Sequence, residues 1–131
     1  MMLKLIIRYS KLLAILWALV ILVLCAMPGQ YIPSVSFLEL LSFDKWVHAA
    51  MFFVLFTLIQ IHQLNIKNTT RQSVYFLIIC VLYGVSLEVM QGLVFSNRSA
   101  EWQDIVANTF GCLIAFVFRN RLANLVLNRP L

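Results

Sequence analysis

The chain has 131 residues, of which 63% are hydrophobic and only 11% are charged, and its formal net charge is +5. A composition this apolar is typical of an integral membrane protein and excludes an ordinary soluble domain. Nucleic-acid binding would need a basic soluble face, which this composition does not offer, so it is not expected. We expect a single membrane domain over residues 1–131.

Four apolar segments predict four transmembrane helices. A helix needs about 20 residues to cross the hydrocarbon core of a bilayer, and each segment reaches or approaches that length with its flanking residues. The predicted helices cover about residues 9–27, 44–62, 73–95 and 102–119. The predicted fold is therefore all-α, an integral membrane bundle of four transmembrane helices.

The first apolar segment follows Lys4, Arg8 and Lys11, an order that also occurs in secretory signals. However, the bulky Leu24 directly precedes Cys25, and no small-residue cleavage motif is present. We therefore interpret this segment as a retained helix.

The three cysteines, Cys25, Cys80 and Cys112, each lie inside an apolar segment and form no C-x-x-C pair. Buried thiols in such positions behave as small hydrophobic side chains, so neither a disulfide framework nor a zinc site is expected. Because no compact metal-binding motif is present, no residue is assigned as a metal ligand and no cofactor is evident.

The distribution of basic residues predicts how the helices are oriented. Eight of the ten basic residues flank one set of helix ends, and only Lys45 and Arg98 flank the other. The eight are Lys4, Arg8, Lys11, Lys67, Arg71, Arg119, Arg121 and Arg129. Cytoplasmic segments carry the excess of Lys and Arg, so both termini are predicted to be cytoplasmic.

Polar side chains recur at helical spacing near the outer ends of three predicted helices, and residues three or four apart share a helix face. They are Asp44, Lys45 and His48 on the second helix, Glu88 and Gln91 on the third, and Asp104 and Asn108 on the fourth. Gly84 and Gly111 have the same spacing on the third and fourth helices. The helical rise places the polar groups at comparable depths, about 6 to 10 Å below the helix ends. We therefore expect one outward-facing polar pocket, with Gly84 and Gly111 allowing the helices to pack closely.

Glu88 is the polar residue that most needs an explanation. It lies inside an apolar run and in the second half of its helix, where the helix dipole disfavours an anion. Either Glu88 is protonated, or Lys45, His48 or Arg98 compensates its charge. By contrast, acids such as Asp104 and Glu101 lie in a first helical turn, where the dipole alone favours them.

These residues resemble the VanZ-like family of bacterial membrane proteins. The resemblance rests on an ordered set of motifs, which are D-K-x-x-H-x-x-x-F from Asp44, G-x-x-x-E-x-x-Q from Gly84, Arg98, and D-x-x-x-N-x-x-G from Asp104. It implies a multi-pass protein of the bacterial cytoplasmic (inner) membrane and a link to teicoplanin resistance. Ala115 stands where members of the family often have a second glycine.

The first functional hypothesis is an envelope protein whose outer pocket engages a lipid-linked or phosphate-bearing group, such as a cell-wall precursor. Charge-assisted contacts to phosphate are strong, so Lys45 and Arg98 would hold the anion. The substrate-binding candidates are Lys45, Arg98, Gln91 and Asn108. This hypothesis has an electrostatic weakness. The outer half carries five acidic residues and only two basic ones, which is unfavourable for binding an anion.

The second hypothesis is a metal-assisted membrane enzyme that uses the same pocket. Its carboxylates offer oxygen ligands suited to Mg²⁺ or Ca²⁺, and a histidine could act as general base. The catalytic candidates are His48, Glu88, Asp44 and Asp104.

The third hypothesis is a non-catalytic helix bundle that modulates partner proteins, in which Gln91 and Asn108 serve only as interhelical hydrogen bonds. A transport role is not favoured, because polar residues concentrate in the outer half with no matching inner group. The lipid bilayer is the one expected partner, and the oligomeric state and any enzymatic activity stay open.

Overall fold

The computed structural model describes residues 2–27, 43–64, 66, 70–94 and 100–127. Five helices run through these ranges. They are α1 (Met2–Ala26), α2 (Phe43–Leu64), α3 (Thr70–Leu93), α4 (Trp102–Val117) and α5 (Arg119–Leu127). No strand occurs within the described ranges, and the all-α prediction is confirmed.

Three helices are long and apolar enough to cross a membrane: Lys4–Ala26, Phe43–Leu64 and Thr70–Leu93. The 16 residues of α4 cover about 24 Å, which is shorter than the ~30 Å hydrocarbon core. Within the described ranges, a fourth span results only if α4 and α5, which meet at a bend of 51°, are taken together. The membrane orientation stays a prediction from the basic residues.

The bend between α4 and α5 was not predicted from the sequence. It lies at Phe118, whose φ and ψ are −78° and 0°, and it comes where the apolar run ends and Arg119 begins a polar stretch. Arg119 Nη1 donates a hydrogen bond to Thr70 Oγ1 at 3.0 Å, which holds the start of α5 beside the start of α3. After the bend, α5 still packs against α2, and Val126 is buried.

The core of the bundle is narrow, and much of its outer surface is apolar. Phe52, Phe56 and Ile21 are completely buried between the helices, whereas large side chains such as Leu82 and Val23 are 60% and 63% exposed. This apolar exterior is what a lipid environment requires, because a helix surrounded by acyl chains gains nothing from a polar face.

The closest helix approach is between α2 and α4, at Gly111. A Cβ atom added to Gly111 would overlap the carbonyl oxygen of Ala49 and lie 3.0 Å from the backbone nitrogen of Phe53. Only glycine fits at this position, so the backbones of α2 and α4 touch there. This contact fixes how the polar side chains one turn earlier on α4 meet those of α2.

Three side chains tie α1 to the other helices by donating to backbone carbonyls. Trp17 Nε1 donates to Met51 O at 2.9 Å, and Tyr83 Oη donates to Ala18 O at 2.7 Å. Near the end of α1, the side chain of Gln91 donates to Cys25 O. Together these bonds hold α1 against both α2 and α3.

Candidate functional site: a buried polar cluster at one end of the bundle

Four buried polar side chains from three helices meet near the end of the bundle where α2 and α4 begin and α3 ends. We call His48, Glu88, Asp104 and Asn108 the polar cluster, and this end of the bundle the cluster end. His48 is supplied by the second turn of α2, and Asp104 and Asn108 by one face of α4 at i, i+4 spacing. Glu88 reaches them from the last turns of α3.

The imidazole of His48 is oriented by Asn108. Its Nδ1 lies 3.2 Å from Asn108 Oδ1, and an amide oxygen can only accept, so Nδ1–H is the donor. In the neutral ring Nε2 then carries the lone pair. Nε2 lies 3.6 Å from Asp104 Oδ2, which is longer than a hydrogen bond. The ring therefore turns Nε2 toward the carboxylate of Asp104.

Glu88 has one oxygen held by the protein and one without a partner. The backbone N–H of Glu101 donates to Glu88 Oε2 at 3.2 Å. Oε1 is buried and has no hydrogen-bond partner among the described residues, and the side chain is only 1% exposed. His48, Glu88 and Asp104 each offer one ligand atom, and these three atoms lie within 4.8 Å of one another.

Lys45 lies beside the cluster and is shared by three carboxylates. Its Nζ lies 2.7 Å from Asp44 Oδ2 and 2.6 Å from Asp104 Oδ1, and it also contacts Glu101. Asp44 is therefore placed at the exposed rim of the cluster, facing Lys45 rather than the buried centre. An anion bound by Lys45 would have to displace at least one of these contacts.

The remaining predicted site residues take different positions. Gln91 is buried, but its Nε2 donates to Cys25 O at 3.2 Å, so it faces α1 rather than the polar cluster. Gly84 packs against the Asn108 amide, because a Cβ at Gly84 would lie 3.2 Å from Asn108 Nδ2. Arg98, which was predicted to bind the anion, lies outside the described residues.

The charge balance of the cluster end favours cations. Four carboxylates, those of Asp44, Glu88, Glu101 and Asp104, lie at this end, and among the described residues Lys45 supplies the one ammonium group, which contacts three of them. Excess negative charge of this kind attracts a proton or a metal ion and repels a bare anion. Chemically, the cluster combines an imidazole lone pair with carboxylate oxygens, which suits either metal ligation or proton transfer.

Sequence reasoning missed two features. Glu101 was assigned only to a first helical turn, yet its side chain contacts Lys45 and its backbone N–H binds Glu88. For the opposite half of the bundle, no polar cluster matching the outer one was predicted. That half holds four buried polar side chains, those of Ser10, Gln60, Gln63 and Ser73. Helical spacing between Gln60 and Gln63 was the available signal.

Comparison with known proteins identifies the family. The family model VanZ/LLP1 matches residues 6–123, which is most of the chain. No curated protein and no solved structure matches the chain. The resemblance predicted from the ordered motifs is confirmed, and the chain belongs to the VanZ/LLP1 family.

Proposed function

We propose that the protein is a cell-envelope component of the bacterial cytoplasmic membrane that binds a lipid-linked, phosphate-bearing group at the polar cluster. We further propose that the cluster end faces outward and that binding there alters susceptibility to the glycopeptide teicoplanin. Membership of the VanZ/LLP1 family supports the teicoplanin link. The ten basic residues support the outward direction, since only Lys45 and Arg98 flank the cluster end.

The observation that carries this proposal is an oxygen of Glu88, beside His48 and Asp104, that has no hydrogen-bond partner in the described part of the chain. A buried polar atom without a partner costs about 1 to 3 kcal/mol in a protein interior. Within a membrane the cost rises, because no bulk water is available to satisfy the group. The buried amide of Gln60 also lacks partners among the described residues, but only the oxygen of Glu88 lies beside a second carboxylate and an imidazole, so we interpret Glu88 as the binding position.

The surroundings of the cluster favour an amphipathic ligand. Trp46 and Trp102, near the starts of α2 and α4, are 66% and 71% exposed. Tryptophan is enriched where a membrane meets water, so these two side chains mark an interface at the level of the cluster end. A molecule with its tail in the bilayer and its phosphate at the interface would reach the cluster from this level.

The electrostatics add a condition to the proposal. Lys45 is already engaged by three carboxylates, so a phosphate would meet a negative cluster unless another positive charge accompanies it. That charge could be a proton, or a metal ion held by the same side chains.

A metal-assisted enzyme is the second candidate, and the orientation of His48 favours it. With Nδ1–H held by Asn108, Nε2 is free to bind an ion or to accept a proton from water. Release of inorganic phosphate from a polyprenyl phosphate by the purified protein would distinguish this candidate from simple binding.

The proposed function is tested with the full-length protein in nanodiscs, with divalent cations present. Polyprenyl phosphate and the uncharged polyprenol of equal chain length are compared by native mass spectrometry. We expect the phosphate form to bind preferentially and Asp104→Asn to weaken it by about tenfold, the loss typical of a disturbed ligand set. Gln60→Met, a buried polar substitution in the opposite half, should bind normally. Equal binding of the two lipids by the wild type would contradict the proposal.

A further inference from the structure

We propose that His48, Glu88 and Asp104 bind a divalent first-row metal ion, such as Zn²⁺ or Mn²⁺, at the centre of the polar cluster. The three side chains come from α2, α3 and α4 and are all buried. Because they come from three separate helices, no single compact metal-binding motif contains all three.

The distances fit an ion after a small inward adjustment. Ligand atoms within 4.8 Å of one another share a central point no more than about 2.8 Å from each, compared with metal–ligand distances of about 2.0 to 2.2 Å. His48 Nε2 and Asp104 Oδ2 are 3.6 Å apart. Two ligands of a tetrahedral ion are separated by about 3.4 Å at these bond lengths. Side-chain shifts of less than about 1 Å would therefore complete the coordination.

Each ligand is oriented by a second protein group, as in most metal sites. Asn108 Oδ1 accepts from His48 Nδ1, which leaves Nε2 with its lone pair. The Glu101 backbone N–H holds Glu88 Oε2, and Oε1 has no partner among the described residues. The ammonium of Lys45 contacts Asp104 Oδ1, while Oδ2 faces His48. In each of the three side chains, one polar atom is held by another protein group and the other is available to an ion.

A neighbouring acidic group does not compete for the ion. Asp44, Glu101 and Asp104 also lie close enough together to bind a metal. However, the ammonium of Lys45 already lies among them and supplies their positive charge. In the group of His48, Glu88 and Asp104, Lys45 contacts only Oδ1 of Asp104, and Glu88 Oε1 has no hydrogen-bond partner among the described residues.

The donor set identifies the class of ion. Mg²⁺ and Ca²⁺ prefer ligand sets made of oxygen alone, whereas an imidazole nitrogen suits Zn²⁺ and other first-row ions, and carboxylates suit Mn²⁺. Three protein ligands leave a coordination position open, as in catalytic zinc sites. A phosphate oxygen in that position would be attracted by the ion rather than repelled by the carboxylates. Binding of the ion does not depend on the proposed function. The role of the ion as a bridge to phosphate does depend on it.

The test measures metal binding by the full-length, detergent-solubilised protein carrying an affinity tag without histidines. After removal of metals with EDTA, Zn²⁺ binding is measured by competition with a chromophoric chelator, and free Mn²⁺ by electron paramagnetic resonance. We expect one ion per chain and no binding of Mg²⁺ or Ca²⁺ at equal concentration. Absence of stoichiometric binding of both Zn²⁺ and Mn²⁺ would overturn the proposal.

Two carboxylate-to-amide variants locate the site. Glu88→Gln keeps its shape and its bond to the Glu101 N–H, and should weaken binding by at least about tenfold. Glu101→Gln removes a neighbouring exposed carboxylate outside the three ligands, and should change affinity by no more than about fivefold, since exposed pairs contribute ~1 kcal/mol or less. Equal effects of the two variants would overturn the assignment of Glu88.

Lipid binding separates failure of this inference from failure of the proposed function. Polyprenyl phosphate is added to the metal-free and metal-loaded protein. Tighter binding to the loaded form supports the bridging role, and equal binding to both forms overturns it. Metal binding without any polyprenyl phosphate binding overturns the proposed function and leaves the metal site in place.

Discussion

His48 Nδ1 lies 3.2 Å from Asn108 Oδ1, a contact that joins α2 to α4 inside the bundle. The two residues are 60 positions apart in the chain, and the contact is possible because Gly111 lets the backbones of the two helices touch. Through this contact Asn108 decides which nitrogen of His48 is available. Asn108 is thus a positioning residue for the imidazole.

Asn108→Leu should weaken metal binding as well as stability. Leucine fills a similar volume but cannot accept from Nδ1, so the imidazole loses its orientation. We expect Zn²⁺ affinity to fall by about 10- to 100-fold, as for other groups that orient metal ligands. The free energy of unfolding should fall by about 1 to 3 kcal/mol, because the buried Nδ1–H is left without an acceptor.

Thr109→Val is the matched control for Asn108→Leu, because Thr109 bonds only to Ile105 O in its own helix. Chelator competition and unfolding in detergent measure both quantities on the same preparations. Equal loss of Zn²⁺ affinity in the two variants would contradict the positioning role of Asn108.

Lys45→Met should destabilise the protein by leaving three carboxylates without their shared cation. Removing one partner of a buried ion pair costs 3 to 5 kcal/mol, but Asp44 and Glu101 are about half exposed, so we expect about 1 to 3 kcal/mol. Lys45→Arg keeps the charge and should be milder. Added Ca²⁺ should restore part of the melting temperature of Lys45→Met by replacing the ammonium. If Ca²⁺ has the same effect on all three proteins, this account of Lys45 is wrong.

Gly111→Ala should be the most disruptive glycine substitution. Its Cβ would overlap backbone atoms of α2, which cannot move aside without separating the helices. At Gly84 the added methyl meets the side chains of Asn108 and Phe52 at 3.2 Å, which can shift. We expect a loss of at least about 3 kcal/mol for Gly111→Ala and about 1 kcal/mol for Gly84→Ala. Thermal unfolding would contradict this order if Gly84→Ala were the less stable variant.

The bond between Tyr83 and Ala18 should contribute modestly to the docking of α1. Tyr83→Phe removes only the hydroxyl, so we expect a loss of ~0.6 kcal/mol in reversible unfolding. Tyr75→Phe on the same helix is the control, because Tyr75 is 63% exposed. A larger loss of stability for Tyr75→Phe than for Tyr83→Phe would contradict the packing of Tyr83 against α1.

Most of the helical architecture was predictable because apolar length alone marks a membrane span. The predicted helix at about 44–62 lies within the observed Phe43–Leu64, and the third overlaps Thr70–Leu93 almost completely. The first begins earlier than predicted, at Met2, because the basic residues at its start are tolerated on an exposed helix end. The bend at Phe118 could not be foreseen, since hydropathy gives the end of an apolar run but not the direction that follows.

Helical spacing predicted which side chains share a face, but not which neighbour each face meets. Gln91 is three residues from Glu88, yet its amide turns to α1 and binds Cys25 O. Likewise, Lys45 was predicted to hold an anion because charge-assisted contacts to phosphate are strong. Its contacts with Glu101 and Asp104 depend on the packing of α4, which begins more than 50 residues later. The sequence around Lys45 therefore could not predict them.

The most direct test of the functional role of the polar cluster compares Glu88→Gln with Gln60→Met in cells in which this chain raises teicoplanin tolerance. Both residues are buried, and both changes preserve size, but only the first removes a carboxyl group of the cluster. Membrane abundance is measured beside tolerance. We predict lost tolerance for Glu88→Gln at normal abundance, and normal tolerance for Gln60→Met. Unchanged tolerance in Glu88→Gln, or loss only in proportion to abundance, would contradict a ligand-binding role and leave Glu88 as a packing residue.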